Sequence, residues 1–196
     1  MRKSKGDIKI LIIGGSAGSY GVVRRIMSSL PSTFSIPVVL CLHRLKNIRN
    51  GFAESLNIDS KITITEPHDK ERIYPGKVYL SPSNYHLLIE PEYSFALSTE
   101  PDNNYSRPSI DYTFESGGFS FKNNMAGILL SGTNTDGARG LFSAFKNGAF
   151  TIIQDPENAQ FSTMPKEVLR YFNPDEIMTD EMIINFINSL TDNTYV

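Results

Sequence analysis

The chain has 196 residues, enough to enclose a full hydrophobic core, and its net charge of −2 argues against nucleic acid as the main partner. The single cysteine, Cys41, excludes an internal disulfide and favours a reducing, cytoplasmic compartment. It lies in the apolar run VVLCL, which predicts a buried structural thiol. No apolar run reaches membrane-spanning length, so we expect no direct membrane insertion.

Strands and helices alternate along the chain after a short, flexible N-terminal tail over residues 1–6. In chain order the predicted elements are strand IKILII, helix SYGVVRRIMSSL, strand IPVVLCL, helix NGFAESLN, strand SKITITE, short strands within YPGKVYLSPSNYHLLIEPEYSFALST, helix PSIDYTFESGGFSF, strand NMAGILL, helix DGARGLFSAFKNG, strand AFTIIQ, and helices MPKEVLRYF and DEMIINFINSL. The turn signals in the YPGKVYL segment predict a small antiparallel excursion. The PSID helix is expected to begin at Pro108 and Ser109 and to end at Gly117–Gly118.

This alternation predicts an α/β fold: a doubly wound, mostly parallel sheet with helices on both faces and a small antiparallel hairpin. No internal repeat or low-complexity linker divides the chain. We therefore expect a single domain over residues 7–192, with no second domain.

Three reactive side chains follow predicted strands, at the sheet edge where sites form in such folds. Ser16 lies in the loop GGSAGS, His43 follows VVLCL, and Asp136 follows GILLSGTNT. A serine, an imidazole and a carboxylate in this arrangement are the requirement for an activated hydroxyl, in which the base takes the serine proton and the acid orients the base. The start of the helix after Ser16 offers backbone N–H groups to a developing oxyanion.

Each of these three residues also has a purely structural explanation. Ser16 and Asp136 are both placed to cap the helices that follow them, and His43 is placed as a hydrogen-bonded residue at a strand end. Spacing alone therefore favours the structural roles over a triad. A nucleotide-binding loop is a third alternative, but GGSAGS matches neither a dinucleotide fingerprint nor a P-loop.

Six segments, in order, carry a resemblance to a known family: IGGSAGS, LCLHR, YPGKVYLSPSNYHLLI, SRPSIDYTFES, GILLSGTNTDGARGL and NGAFTIIQDPENAQFSTMPKEVL. They resemble the catalytic domain of the bacterial CheB-type chemotaxis protein-glutamate methylesterases. The resemblance runs from about Ile8 to Leu190, which is nearly the whole chain. Each motif is modestly specific, but six in the family's order are highly specific.

The resemblance implies a serine hydrolase that demethylates glutamate γ-methyl esters on the cytoplasmic domains of chemoreceptors, and deamidation of receptor glutamines in many members. It implies Ser16 as nucleophile, His43 as base and Asp136 as orienting acid, with no metal or organic cofactor. Oxyanion or substrate contacts are expected from Ala17, from Thr133 and Asn134, and from Arg107, for which a surface salt bridge is an equal alternative.

Four departures from the family pattern bear on activity and its control. The expected absence of a receiver domain leaves the active edge permanently accessible or gated by a separate response regulator or signalling protein. Ser19 stands where the family usually has Gly, Thr133 and Asn134 stand where Met and Gly are common, and Arg44 puts a charge beside His43. These departures keep one alternative open: a weak or inactive domain that binds a receptor or signalling partner through the same cleft.

Overall fold

The structure is a computed structural model that describes residues 8–44 and 51–190. Its strands are β1 (Ile10–Gly15), β2 (Val38–Leu42), β3 (Ile64–Thr65), β4 (Val78–Leu80), β5 (His86–Ile89), β6 (Phe95–Ser98), β7 (Met125–Leu129), β8 (Phe150–Gln154) and β9 (Glu176–Met178). Its helices are α1 (Tyr20–Ser29), α2 (Phe52–Asn57), α3 (Ile110–Phe121), α4 (Ala138–Lys146), α5 (Thr163–Tyr171) and α6 (Asp180–Ser189). The predicted tail, residues 1–6, lies outside the described ranges.

Seven of the strands form one sheet in the order β3-β4-β2-β1-β7-β8-β9, and every neighbouring pair in it is parallel. The remaining two, β5 and β6, form a separate antiparallel pair. Alternate residues of β1 face opposite sides of the sheet. Leu11 and Ile13 join a core with α1 and α6, whereas Ile10 and Ile12 join a core with α3, α4 and α5. The predicted fold class is therefore confirmed.

Several local predictions need correction. Helix α3 does not end at Gly117–Gly118 but continues to Phe121, because both glycines are packing positions rather than a stop signal. A Cβ at Gly118 would lie 2.5 Å from the Cα of Ala144, so glycine lets α3 and α4 approach closely. The antiparallel excursion is confined to β5 and β6, since β4 joins the parallel sheet.

Two further elements were not predicted: β9, which is short and half exposed, and a 3₁₀ turn over Lys122–Asn124. Cys41 is fully buried, as predicted, and burial raises the pKa of its thiol to about 12. Among the described helices, none has both the length and the apolar character needed to cross a membrane.

The register of the central strands determines where the reactive loops emerge. Gly15 at the end of β1 is paired with Leu42 at the end of β2, and Gly14 is paired with Leu129 at the end of β7. The three loops after these strands therefore leave the sheet side by side at its carboxyl edge, as the sequence predicts.

Candidate active site

The loop that carries Ser16 is a tight turn held by hydrogen bonds at both ends. The Ser16 N–H donates to the Ser131 carbonyl at 2.9 Å, and the Ser131 hydroxyl donates to the Ala17 carbonyl at 2.9 Å. Gly18 has a φ of +80°, a left-handed conformation that glycine adopts without a steric penalty. The turn thus fixes the backbone of Ser16 while its half-buried side chain faces a cavity.

Ser19 has an ordinary right-handed backbone conformation, φ −86° and ψ −19°, so this position of the turn does not require glycine. Its side chain is buried, and its hydroxyl donates to the Ser16 carbonyl at 2.7 Å. The Ser19 N–H donates to the same carbonyl at 3.0 Å. Ser19 is also the N-cap residue of α1, so the predicted capping role of Ser16 is wrong. In residues 8–44 and 51–190, no hydrogen bond engages the Ser16 hydroxyl.

His43 and Asp136 are in direct contact. His43 Nε2 lies 2.8 Å from Asp136 Oδ2, and the imidazole is largely buried. Asp136 can only accept at neutral pH, so Nε2 carries the proton and Nδ1 keeps a lone pair. Nδ1 is approached by the Asn134 amide nitrogen at 3.3 Å and by the Ser106 hydroxyl at 3.4 Å, both of which can donate to it.

Asp136 is fully buried and accepts three further hydrogen bonds from the start of α3. Its donors there are the Ser109 hydroxyl at 3.0 Å, the Ile110 N–H at 2.7 Å and the Asp111 N–H at 3.1 Å. Helix α3 therefore has its first N–H groups capped by a carboxylate from another loop. Burial alone would raise the pKa of Asp136, but His43 and these donors hold that pKa below its ordinary value.

Asp111 caps the start of α4 in the same way. Its Oδ1 accepts from the Gly137 N–H at 2.9 Å and from the Gly140 N–H at 2.7 Å, while its Oδ2 accepts from the Asn104 amide at 3.0 Å. The two helices thus exchange carboxylate caps, Asp136 to α3 and Asp111 to α4. Burial, and after it the charge of Asp136, raises the pKa of Asp111 to about 6.

A cavity of about 390 Å³ opens beside these residues and is lined by Ser16, Ala17, His43, Arg44, Tyr105, Ser106, Arg107 and Pro108. Four of the seven predicted site residues are therefore in its wall: Ser16, Ala17, His43 and Arg107. Asn134 reaches the same imidazole, and Asp136 lies behind it. Thr133 is exposed and does not line the cavity.

Arg44 and Arg107 line the cavity, but their guanidinium groups hydrogen-bond to neighbouring protein groups. Arg107 donates to the Thr99 and Glu100 carbonyls and to Asn84, so it holds neighbouring backbone in place. Arg44 is buried and pairs with Glu66 through Nη2, which also donates to the Ser81 carbonyl at 2.8 Å. The charge that the sequence places beside His43 is therefore largely compensated by Glu66.

Sequence reasoning missed Tyr105 and Ser106, and it gave no individual role to two residues of the RPSID segment, which the resemblance places along the cleft: Ser109 and Asp111. The last two lie in the SRPSIDYTFES motif at the start of a predicted helix, and an acid in a first turn next to a polar loop is a recognisable signal. Tyr105 and Ser106 precede that motif and carry no signal of their own, because only tertiary packing brings them beside His43.

Comparisons with known proteins agree with this fold. The family model described as CheB methylesterase matches residues 11–187. A Leptospira interrogans protein, whose assigned name of protein-glutamate methylesterase/protein-glutamine glutaminase is provisional, is 35% identical over 187 residues, which cover 95% of this chain and 97% of that protein. The Thermotoga maritima CheB methylesterase catalytic domain has a TM-score of 0.87 at 28% identity, covering 93% of this chain and 98% of that one.

A longer relative is the Paraburkholderia xenovorans protein-glutamate methylesterase/protein-glutamine glutaminase, 34% identical over 172 residues. The match covers 86% of this chain but 47% of that protein, so the chain spans about half the length of this relative. The fold and the family match together define a hydrolase. The chain belongs to the CheB methylesterase family.

Proposed function

We propose that this protein hydrolyses glutamate γ-methyl esters on a protein substrate, and glutamine side-chain amides as a second reaction. In this proposal Ser16 is the nucleophile, His43 the general base and Asp136 the residue that orients and stabilises the imidazole. The single observation that carries it is the 2.8 Å contact between His43 Nε2 and Asp136 Oδ2, behind a cavity whose wall also holds Ser16.

The tautomer of His43 determines the direction of proton transfer. Because Nε2–H is engaged by Asp136, the lone pair on Nδ1, which the Asn134 amide and the Ser106 hydroxyl approach, accepts the Ser16 hydroxyl proton as Oγ attacks the ester carbonyl carbon. The resulting imidazolium returns that proton to the departing methoxide, and methanol leaves. Water then hydrolyses the glutamyl-serine ester by the same base. A Ser16–His43 hydrogen bond of this kind often tightens only once substrate is bound.

A backbone N–H can donate to the oxyanion only if it has no acceptor within the protein. The Ser16 N–H is committed to the Ser131 carbonyl, so it is not a donor to substrate. The Ala17 N–H finds no backbone acceptor within the described residues and lies just before the N-terminus of α1, where the helix dipole favours negative charge. We assign the oxyanion to the Ala17 N–H, because the Asn134 amide already contacts His43 Nδ1 and the Ser106 hydroxyl.

The commitment of the Ser16 N–H also counts against the nucleotide-binding alternative, because a phosphate cradle needs free backbone donors in this turn. The specific substrate that we propose is a methylated chemoreceptor, whose cytoplasmic domain would place this protein in the cytoplasm. Control by a separate response regulator or signalling protein belongs to the same proposal.

The test is methanol release from a methylated receptor by the wild type and by Ser16→Ala. We expect the variant to lose at least about 10³-fold in rate, with its circular dichroism and melting temperature unchanged. Ser28→Ala is the matched control, because Ser28 lies at the far end of α1 and only bonds the Arg25 carbonyl. Retained activity in Ser16→Ala would contradict the nucleophile. A wild type that cleaves neither receptor nor an activated ester would favour the binding-module alternative.

A further inference from the structure

A short hairpin with a two-residue turn lies beside the cavity. We call its four residues, 103–106, the cleft hairpin. Asn103 and Ser106 exchange backbone hydrogen bonds of 3.2 and 2.9 Å, so Asn104 and Tyr105 form its turn. Both turn residues have positive φ, 49° and 61°. This is the backbone of a type I′ turn, in which Asn is common and a bulky residue such as Tyr is unusual.

The cleft hairpin is firmly attached to the site. The Asn103 amide donates to the Ser109 hydroxyl at 2.9 Å, and the Asn104 amide donates to Asp111 Oδ2 at 3.0 Å. Ser109 in turn donates to Asp136, so the hairpin is one hydrogen bond away from the proposed acid. Its backbone position is therefore set by the same network that holds Asp136.

Within the part of the chain that the structure describes, the Tyr105 side chain makes no hydrogen bond or ring contact. Its side chain is 98% exposed, although it lines the same cavity as Ser16 and His43. A rigidly held backbone thus presents an aromatic ring to solvent at the mouth of the cleft. Tyrosine in such a position contributes a large contact area at low conformational cost, because only two side-chain torsions are ordered on binding.

Tyr93 is a second tyrosine with positive φ, and unlike Tyr105 it makes a ring contact within the protein. It lies in the turn between β5 and β6 with a φ of 59°, but its ring packs on Phe121 with the centroids 4.6 Å apart. The ring contact of Tyr93 therefore offsets the cost of its left-handed backbone conformation. Tyr105 has the same conformation and gains no such contact.

We propose that Tyr105 is a substrate-contact residue, whose ring packs on an apolar side chain of the polypeptide next to the glutamyl ester. This rests on the proposed function and adds a specificity element to it. The proposed occupant is the polypeptide, because a ring that is 98% exposed is covered only by a substrate that extends out of the cavity along the protein surface. Tyr105 accordingly separates protein esters from small esters.

The experiment compares kcat/KM for a methylated receptor segment with kcat/KM for a small activated ester. Tyr105→Asn removes the ring but retains a residue suited to positive φ, so the hairpin is preserved. We expect the ratio of the two values to fall about 10-fold, mainly through a higher KM for the receptor segment. Tyr105→Phe should keep most of the wild-type ratio, because it keeps the ring.

Tyr93→Asn is the matched control, and it should lower the melting temperature without changing the ratio. An unchanged ratio in Tyr105→Asn, or an equal fall in Tyr93→Asn, would overturn the assignment. Binding of the receptor segment to Ser16→Ala, with and without Tyr105→Asn, separates this result from the proposed function. If the wild type cleaves nothing, the proposed hydrolysis fails, whereas the binding difference still decides on Tyr105.

Discussion

Asp136 and Asp111 have the same local function and different chemical surroundings. Each is buried, each lies at the start of one helix, and each accepts backbone N–H groups from the start of the other: Asp136 from α3 and Asp111 from α4. Only Asp136 also faces an imidazole. The pKa of Asp136 is accordingly lowered and that of Asp111 is raised.

This difference shows that capping and catalysis are compatible in one carboxylate. A structural role for Asp136 does not count against a chemical one, because its two oxygens accept four bonds and only one of them comes from His43. The helix caps fix where the carboxylate lies, and the imidazole determines what it does. Asp111, which caps α4 and accepts from Asn104 but does not contact His43, is then the internal reference for a carboxylate without an imidazole partner.

The largest effect is expected from Asp136→Asn. Asparagine still caps α3 through its oxygen, but its amide group cannot hold the His43 Nε2–H in the same way, so the lone pair on Nδ1 is no longer secured. We expect kcat for an activated ester to fall by about 10³- to 10⁴-fold. Steady-state kinetics with circular dichroism as a folding check measure this.

Asp111→Asn is the control that completes this comparison, since it makes the same chemical change in the capping partner. It should reduce kcat less than about 10-fold, because Asp111 does not contact His43. Equal losses in the two variants would show that the helix caps, and not the imidazole contact, set the rate.

The sequence predicted the sheet, the order of its elements and the three reactive loops, because these depend on local apolar runs and on the common edge of parallel strands. The alternative structural role for Asp136, a cap of its own helix, is wrong, since the carboxylate that caps α4 is Asp111. Exchange of caps between α3 and α4 depends on their close packing at Gly118 and Gly140, which no local pattern encodes.

The raised pKa of Asp111 predicts how the free energy of unfolding depends on pH. A carboxyl whose pKa rises from 3.8 to about 6 on folding binds protons more tightly when folded, so its contribution to stability is greatest at low pH and is lost as pH rises through about 6. The free energy of unfolding of the wild type minus that of Asp111→Asn should therefore decrease between about pH 4 and 6, by at most ~3 kcal/mol, and stay level above.

Urea unfolding at a series of pH values measures this difference. Asp136 is present in both proteins, and its contact with His43 lowers its pKa, so the difference between them reports mainly on Asp111. A difference that increases with pH between 4 and 6 would mean that Asp111 is stabilised as the carboxylate, like Asp136, and the contrast between the two residues would fail.

The smallest effect is expected from Ser109→Ala. The Ser109 hydroxyl donates to Asp136 Oδ1 and accepts from the Asn103 amide, whereas His43 contacts Oδ2. The variant therefore loosens the carboxylate and one anchor of the cleft hairpin without touching the imidazole. We expect kcat/KM to fall about 2- to 5-fold and stability to fall by about 1 kcal/mol. Ser120→Ala removes a comparable bond, to the Ile89 carbonyl at 2.9 Å, from the far end of α3. A specific role in holding Asp136 requires similar losses of stability in both variants, with a loss of activity confined to Ser109→Ala.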